Sequence, residues 1–215
     1  MFGTLKPNDY RQFNTAYIEI PKKIGKNELA TAVALLLCSG DGEERTEVYV
    51  CAADRQQASI VFEVAEDMVR MCPAITKRVK TNTYMRRIVY LPTNSFYQML
   101  SAEARSKHGF YIYGVIFDDM HIQTSRKLFD VMIKGSNDSR MQPLYFLITT
   151  AGTDARYICY ETHQKANDIL RDRKIDHTLH PVILAQMRAM IRQTQRHGRK
   201  QEHFGKLQVR LPKTV

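Results

Sequence analysis

The sequence predicts an α/β fold, a mainly parallel sheet covered by helices on both faces. Two observations lead there. Short runs rich in β-branched and aromatic residues alternate with longer runs of helical period. Strands separated in this way by helices form a parallel sheet buried on both sides.

The elements follow in order. Thr15–Ile20 reads as a short strand. Asn27–Cys38 places Leu29, Ala30, Val33, Ala34 and Leu37 at helical spacing, and Ser39-Gly40-Asp41-Gly42 breaks the chain. Glu47–Ala53 is a second strand. Asp54 is a ready N-cap for a helix over Arg55–Met71, which Pro73 ends. Tyr84–Leu91 and Ser95–Leu100 flank Pro92-Thr93-Asn94, as in a hairpin. Tyr113–Phe117 and Leu144–Thr149 are strands. Ser125–Lys134 and Asp154–Leu170 are helices. No internal repeat or low-complexity segment interrupts them.

Composition narrows the class. The chain has 215 residues, 44% hydrophobic and 25% charged, which suits one domain with a real core. The longest apolar run, Ala32–Cys38, is far short of the ~20 residues of a membrane span, so no membrane partner is expected. Met1 is followed by no signal-peptide pattern. Cys38, Cys51, Cys72 and Cys159 form no CxxC pair and read as free thiols of a reducing compartment. His177 and His180 have no partners at zinc spacing. Of the net charge of +10, +8 lies beyond residue 170, where eleven Lys or Arg face three Asp or Glu. Such a tail suits either nucleic acid or plain solvation. Arg188, Arg192 and Arg196 would share one face of a helix, and after about Ala185 at most one basic helix is expected.

Three segments carry chemistry. Pro21-Lys22-Lys23-Ile24-Gly25-Lys26-Asn27 follows a strand and opens a helix, where backbone N–H groups can hold an anion. Gly25 permits the tight turn and Lys26 supplies a point charge to phosphates. The general phosphate-loop pattern is only half met. Its first glycine is absent, and Asn27 stands where Ser or Thr would bind magnesium. Gly114-Val115-Ile116-Phe117-Asp118-Asp119 is a strand ending in two carboxylates. In phosphate-loop enzymes the first acid holds magnesium and the next polarises the attacking water. A pair of helix-capping acids would look the same. Thr149-Thr150-Ala151-Gly152-Thr153 follows another strand, either to sense the γ-phosphate or as an ordinary turn. Since both main motifs must face one phosphate, the strands ending at Ile20 and Phe117 are expected side by side. His121 beside the acids reads as a surface position, and Tyr84, Tyr90 and Tyr97 as hairpin packing next to Arg86 and Arg87.

Together these segments resemble the ATPase domain of tailed-bacteriophage large terminases. Tyr17 to Lys26 is similar to that family's deviant phosphate loop, in which basic residues replace the early glycine. Cys51 to Ala58, Ser101 to Ala104 with Gly109, and Ile148 to Gly152 resemble further family segments. The resemblance runs from about Phe2 to Asp176. It implies a phosphate-loop NTPase of the ASCE type, a three-layer sandwich. It further implies ATP and Mg2+ as cofactors and hydrolysis that drives double-stranded DNA into a procapsid. The portal protein, a small terminase subunit and a homo-oligomeric ring would be partners, in the cytoplasm of the bacterial host. Lys22, Lys23, Gly25, Lys26 and Asn27 would bind nucleotide, and Asp118 with Asn27 would hold the metal. Asp119 would occupy the catalytic-base position. Thr149, Thr150 and Gly152 would couple hydrolysis to movement, and Arg188, Arg192 and Arg196 would touch nucleic acid.

Four departures from the family stand out. Asn27 replaces Ser or Thr. Asp119 replaces Glu and is one methylene shorter. A misplacement of about 1 Å can cost on the order of a hundredfold in rate. The usual adenine-contacting segment before the first strand is not seen. After Pro181-Val182 the resemblance fades. The expected organisation is therefore an ATPase domain over residues 1–182, a basic tail over 183–215, and no nuclease domain. A non-catalytic prophage remnant that folds and at most binds nucleotide or DNA is the alternative reading.

Overall fold

The computed structural model describes residues 5–52, 54–101, 111–119, 126–137, 142–150, 158–184 and 209–210. One sheet of nine strands runs through the described residues, in the order β3-β4-β5-β2-β6-β7-β1-β8-β9. These strands are β1 (Thr15–Glu19), β2 (Glu47–Ala52), β3 (Val79–Asn82), β4 (Arg87–Tyr90), β5 (Ser95–Ser101), β6 (Ile112–Asp118), β7 (Leu144–Thr149), β8 (Leu179–Leu184) and β9 (Val209–Arg210). The helices are α1 (Lys26–Ser39), α2 (Arg55–Met71), α3 (Pro73–Thr76), α4 (Arg126–Asn137) and α5 (Ile158–Leu170). The six strands from β5 to β8 are all parallel to their neighbours. Only the edges run antiparallel, through β3–β4, β4–β5 and β8–β9.

Alternation along each strand builds two cores. Ala16, Val48, Val50, Ile116, Phe146 and Ile148 face α1 and α2. Tyr17, Tyr49, Cys51, Val115, Phe117, Tyr145 and Leu147 lie on the opposite face, with Met132 of α4 and Cys159 and Ala166 of α5. The result is the expected three-layer sandwich. At Gly114 the helix layer comes close to the sheet, because a Cβ there would stand 2.8 Å from Leu37 Cδ1. Asp54 caps α2 as its sequence position suggests, accepting from the Gln57 N–H at 2.8 Å. Pro73 follows the end of α2 and opens α3, where its missing N–H costs nothing.

Two expectations need correction and one an addition. The strands ending at Ile20 and Phe117 are not neighbours, since β7 lies between β1 and β6. Lys26, opening α1 after β1, still reaches Asp118 at the end of β6, so adjacency is unnecessary. The expected hairpin forms, with Tyr90 opposite Ser95 and Leu91 joining the turn, but β3 adds an outer strand that the sequence did not suggest. After about Ala185 at most one basic helix is expected, but the described part of that segment, Val209–Arg210, is a strand. β8 continues to Leu184 beside β1, and Val209–Arg210 returns to pair with Ile183 and Leu184. Pro181 is tolerated because β9 reaches only the last two residues of β8, leaving the outer edge at Pro181 without a ladder to break.

Candidate nucleotide site

The parallel strands β1, β7 and β6 end at the same edge of the sheet, and each delivers part of one site. The chain leaves β1 and turns with Lys23 at φ 68° and Gly25 at φ 79°, before α1 begins at Lys26. A Cβ at Gly25 would meet only Glu28 Oε2, at 3.6 Å, so the glycine serves its left-handed backbone and not a lack of room. No side chain caps α1. Its first helical bond is Leu29 N–H to Gly25 O at 3.0 Å, and the N–H groups before it have no helical acceptor.

These N–H groups open on a cavity of about 440 Å³. Pro21, Lys22, Lys23, Gly25, Lys26, Asn27 and Glu28 line one side, and Asp119 and Thr150 the other. All five residues expected to bind nucleotide therefore share one cavity with the expected base. Lys22 and Lys23 are exposed within it. A cluster of cations at the start of a helix is the electrostatic opposite of a polyphosphate.

Lys26 joins the two motifs. Its Nζ lies 2.7 Å from Asp118 Oδ1 and 2.6 Å from Asp119 Oδ2. Asp118 is fully buried, and its second oxygen, Oδ2, has no hydrogen-bond partner. Burial pushes the Asp118 carboxyl above its ordinary range. Lys26 opposes that shift, Asp119 adds to it, and the Gln57 side chain weakly opposes it. A buried carboxylate oxygen with nothing bound is costly, and a hard divalent cation is one group that would satisfy it. Asn27 lines the cavity, and Asp118 lies buried behind the Lys26 that lines it, so the donor types, a carboxylate and an amide, are ones a magnesium ion accepts. Asp119 adopts φ 52°, a left-handed conformation that Asp tolerates better than most residues.

The threonines at the end of β7 are both buried. Thr149 donates to the Thr150 carbonyl at 3.1 Å and accepts from Cys159 Sγ at 3.8 Å. Thr150 lines the cavity, and its buried hydroxyl has no partner. Gly152 and His121 lie outside the described residues, as do Arg188, Arg192 and Arg196.

Sequence reasoning missed one cluster beside this site. Glu19, the last residue of β1, is buried and accepts from Tyr17 Oη at 2.9 Å. His163 Nδ1 of α5 lies 2.7 Å from the same Glu19 oxygen. Burial raises the Glu19 carboxyl, but the His163 contact and the Tyr17 hydroxyl outweigh it and leave it low. The hydrogen bond to Glu19 raises His163 against the opposing effect of its own burial. A carboxylate inside the apolar run Thr15–Ile20 was the available signal, because such a group must find a partner.

A three-layer sandwich with a cation-lined loop between β1 and α1 and paired acids closing β6 defines the phosphate-loop NTPase class. The comparisons give the family. The family model "Terminase large subunit, ATPase domain" matches residues 1–168. This chain belongs to the terminase large-subunit ATPase family. It is 29% identical over 143 residues to the large terminase subunit of Enterobacteria phage HK97, covering 65% of this chain and 28% of that protein. The crystal structure of the HK97 large terminase is similar with a TM-score of 0.67 at 24% identity, over 78% of this chain and 34% of the other. The large terminase ATPase domain of Thermus phage P74-26 gives a TM-score of 0.57 at 14% identity, over 75% and 66%. At these identities the solved structures speak for the fold. The chain spans about a third or less of the HK97 protein. Among the described residues no helix is long and apolar enough to cross a membrane.

Proposed function

We propose that this chain binds ATP with Mg2+ in the cavity at the start of α1 and hydrolyses it slowly. It would do so as the motor part of a machine that moves double-stranded DNA into a procapsid. The observation that carries the reading is the Lys26 ammonium, within 2.7 Å of both Asp118 and Asp119 at the wall of a cation-lined cavity. Lys22, Lys23, Gly25 and Lys26 would hold the phosphates, with the first-turn N–H groups of α1. Asp118 and Asn27 would hold the metal, which when bound neutralises charge on the outer phosphates. Asp119 would orient the attacking water and Thr150 would meet the terminal phosphate, with Thr149 and Gly152 passing its loss to the rest of the motor. Arg188, Arg192 and Arg196 would contact the DNA backbone. Portal protein, small terminase subunit and further copies of the motor complete the assembly, in the cytoplasm of the bacterial host.

Slow turnover is part of the proposal. The Asn27 amide is a weaker magnesium ligand than a hydroxyl, and the Asp119 carboxylate is short for its position. A second reading, nucleotide binding without turnover, is favoured by Lys26 already occupying the Asp119 carboxylate. Calorimetric titration with Mg-ATP, followed by a phosphate-release assay on the same sample, separates them. Binding with measurable release supports the motor reading. Binding without release supports the second. No binding up to millimolar nucleotide overturns both.

A further inference from the structure

We propose that His163 is a positioning residue of the nucleotide site, clamping from α5 the ends of the two strands that carry the phosphate loop and the β7 threonines. The inference rests on the nucleotide reading of the cavity. Its basis is geometric. Glu19 of β1 and Thr149 of β7 stand opposite each other in the parallel register, both at the last strand position. Both are buried on the face that α5 covers. Two residues one helical turn apart on α5 reach them. His163 Nδ1 lies 2.7 Å from Glu19 Oε2, and Cys159 Sγ lies 3.8 Å from Thr149 Oγ1. Tyr17 closes the circuit, donating to Glu19 at 2.9 Å with its oxygen 3.9 Å from Cys159 Sγ. Asn167, one turn further, packs its amide 2.7 Å from His163 Nε2 and orients the ring.

The cluster abuts the cavity without lining it. Pro21, a cavity residue, follows Glu19 by two positions, and Thr150, another, follows Thr149 directly. Ile20 between them is bonded to β7, its N–H on the Thr149 carbonyl at 3.0 Å. A shift of α5 against the sheet therefore moves both walls of the cavity together. The strength of the clamp depends on charge. The groups facing His163 are Glu19 and Tyr17 from β1, Asn167 from its own helix and Arg171 just past the end of that helix. Glu19 favours the protonated ring and Arg171 opposes it.

The sign follows directly. His163 is raised on folding and Glu19 is lowered, so the pair is charged and strongest between the two. Its contribution is complete below the ordinary histidine value of about 6.5 and is lost as pH rises through the higher folded value. Nucleotide affinity should fall over the same interval. Linkage is reciprocal, so bound nucleotide must raise the His163 pKa by the matching amount.

The test measures Mg-ADP affinity from pH 6 to 9 for the unmodified chain and for His163→Gln and His163→Asn, each first checked by circular dichroism for a native fold. ADP ionisation is common to all three and cancels in the comparison. The unmodified chain should lose about fivefold more affinity across the interval than either variant, a modest site-to-site coupling. The imidazole titration of His163, followed by NMR in the unmodified chain with and without Mg-ADP, gives the same answer without a substitution. Identical pH profiles, or a His163 pKa that nucleotide leaves unchanged, overturn the clamp while leaving the nucleotide site standing. Absence of Mg-ADP binding at every pH overturns the site reading and the clamp with it.

Discussion

Asp118 gives one carboxylate oxygen to Lys26, 2.7 Å away, and buries the other without a partner. The two residues are 92 positions apart, Lys26 opening α1 just after β1 and Asp118 ending β6, and β1 and β6 are not neighbours in the sheet. Their meeting binds the loop after β1 to the end of β6 and leaves the carboxylate half satisfied.

Lys26→Ala should remove nucleotide binding and also weaken the fold. Without the ammonium, Asp118 loses the partner of Oδ1 in a fully buried position. Such a loss costs about 1–3 kcal/mol, limited because the acid can take up a proton. Urea unfolding at pH 7 measures it, and the deficit should shrink toward pH 4. A variant as stable as the parent at pH 7 would mean that Lys26 does not compensate Asp118.

Asp118→Asn makes the complementary prediction. Burial outweighs Lys26 and raises this carboxyl, so the folded state holds its proton more tightly than the unfolded chain. The contribution of Asp118 to stability is then present below the ordinary carboxyl value of about 3.9 and is lost as pH rises through the folded value. At pH 7 the metal-free variant should be at least as stable as the parent. Thermal melts with Mg-ATP should raise the midpoint of the parent and leave the variant unmoved. A shift preserved in Asp118→Asn would remove Asp118 from the metal site.

The sequence showed most of this architecture where local chemistry decides it. β1, β2, β6 and β7 are apolar runs between turn residues, and the Asp54 cap set the start of α2 within a residue. β3 stayed hidden because Val79–Asn82 is mostly exposed and polar, a strand only by pairing with β4. β8 stayed hidden because Pro181 argues against a strand unless an edge is free. Strand order is non-local, so the insertion of β7 between β1 and β6 left no trace in periodicity. The cavity-lining residues 21–27 were legible because a turn between a strand and a helix that carries Gly and Lys is restricted in residue type. Tyr17 and His163 were not, since each looks ordinary until α5 packs against β1, and only the carboxylate of Glu19 in an apolar run left a trace.

Restoring Asn27→Ser together with Asp119→Glu should raise ATP turnover. Asn27 lines the cavity and Asp119 is paired to Lys26 at 2.6 Å, so both altered positions lie where the chemistry would occur. A base carried about 1 Å further can recover on the order of a hundredfold in rate. Left-handed backbone at Asp119, φ 52°, disfavours Glu slightly and sets an upper bound below full recovery. Phosphate release under saturating Mg-ATP is the measurement. Unchanged turnover in a variant that still binds nucleotide would show that neither position limits the rate.

Two glycines separate the site from the scaffold. Gly25 has φ 79° with only Glu28 Oε2 near a built Cβ, so Gly25→Ala is a backbone problem without a clash. Holding Ala in that conformation costs about 1–2 kcal/mol. If the loop keeps its shape, the cost appears as lost stability. If it relaxes, the cost appears as weaker nucleotide binding, about tenfold for each 1.4 kcal/mol. Gly114 is the reverse case. Its backbone is an ordinary strand, but the new Cβ would stand 2.8 Å from Leu37 Cδ1 and 3.4 Å from Val48 Cγ1 in a packed core. Overpacking of this kind costs about 1–3 kcal/mol. Because Leu37 lies at the far end of α1 from the cavity, Gly114→Ala should lower the unfolding midpoint while Mg-ADP affinity at 20 °C holds near the parent value. Urea melts and calorimetric titration on both variants give the comparison. Loss of affinity in Gly114→Ala equal to that in Gly25→Ala would mean that the packing of α1 on β6, not the turn at Gly25, sets the shape of the phosphate loop.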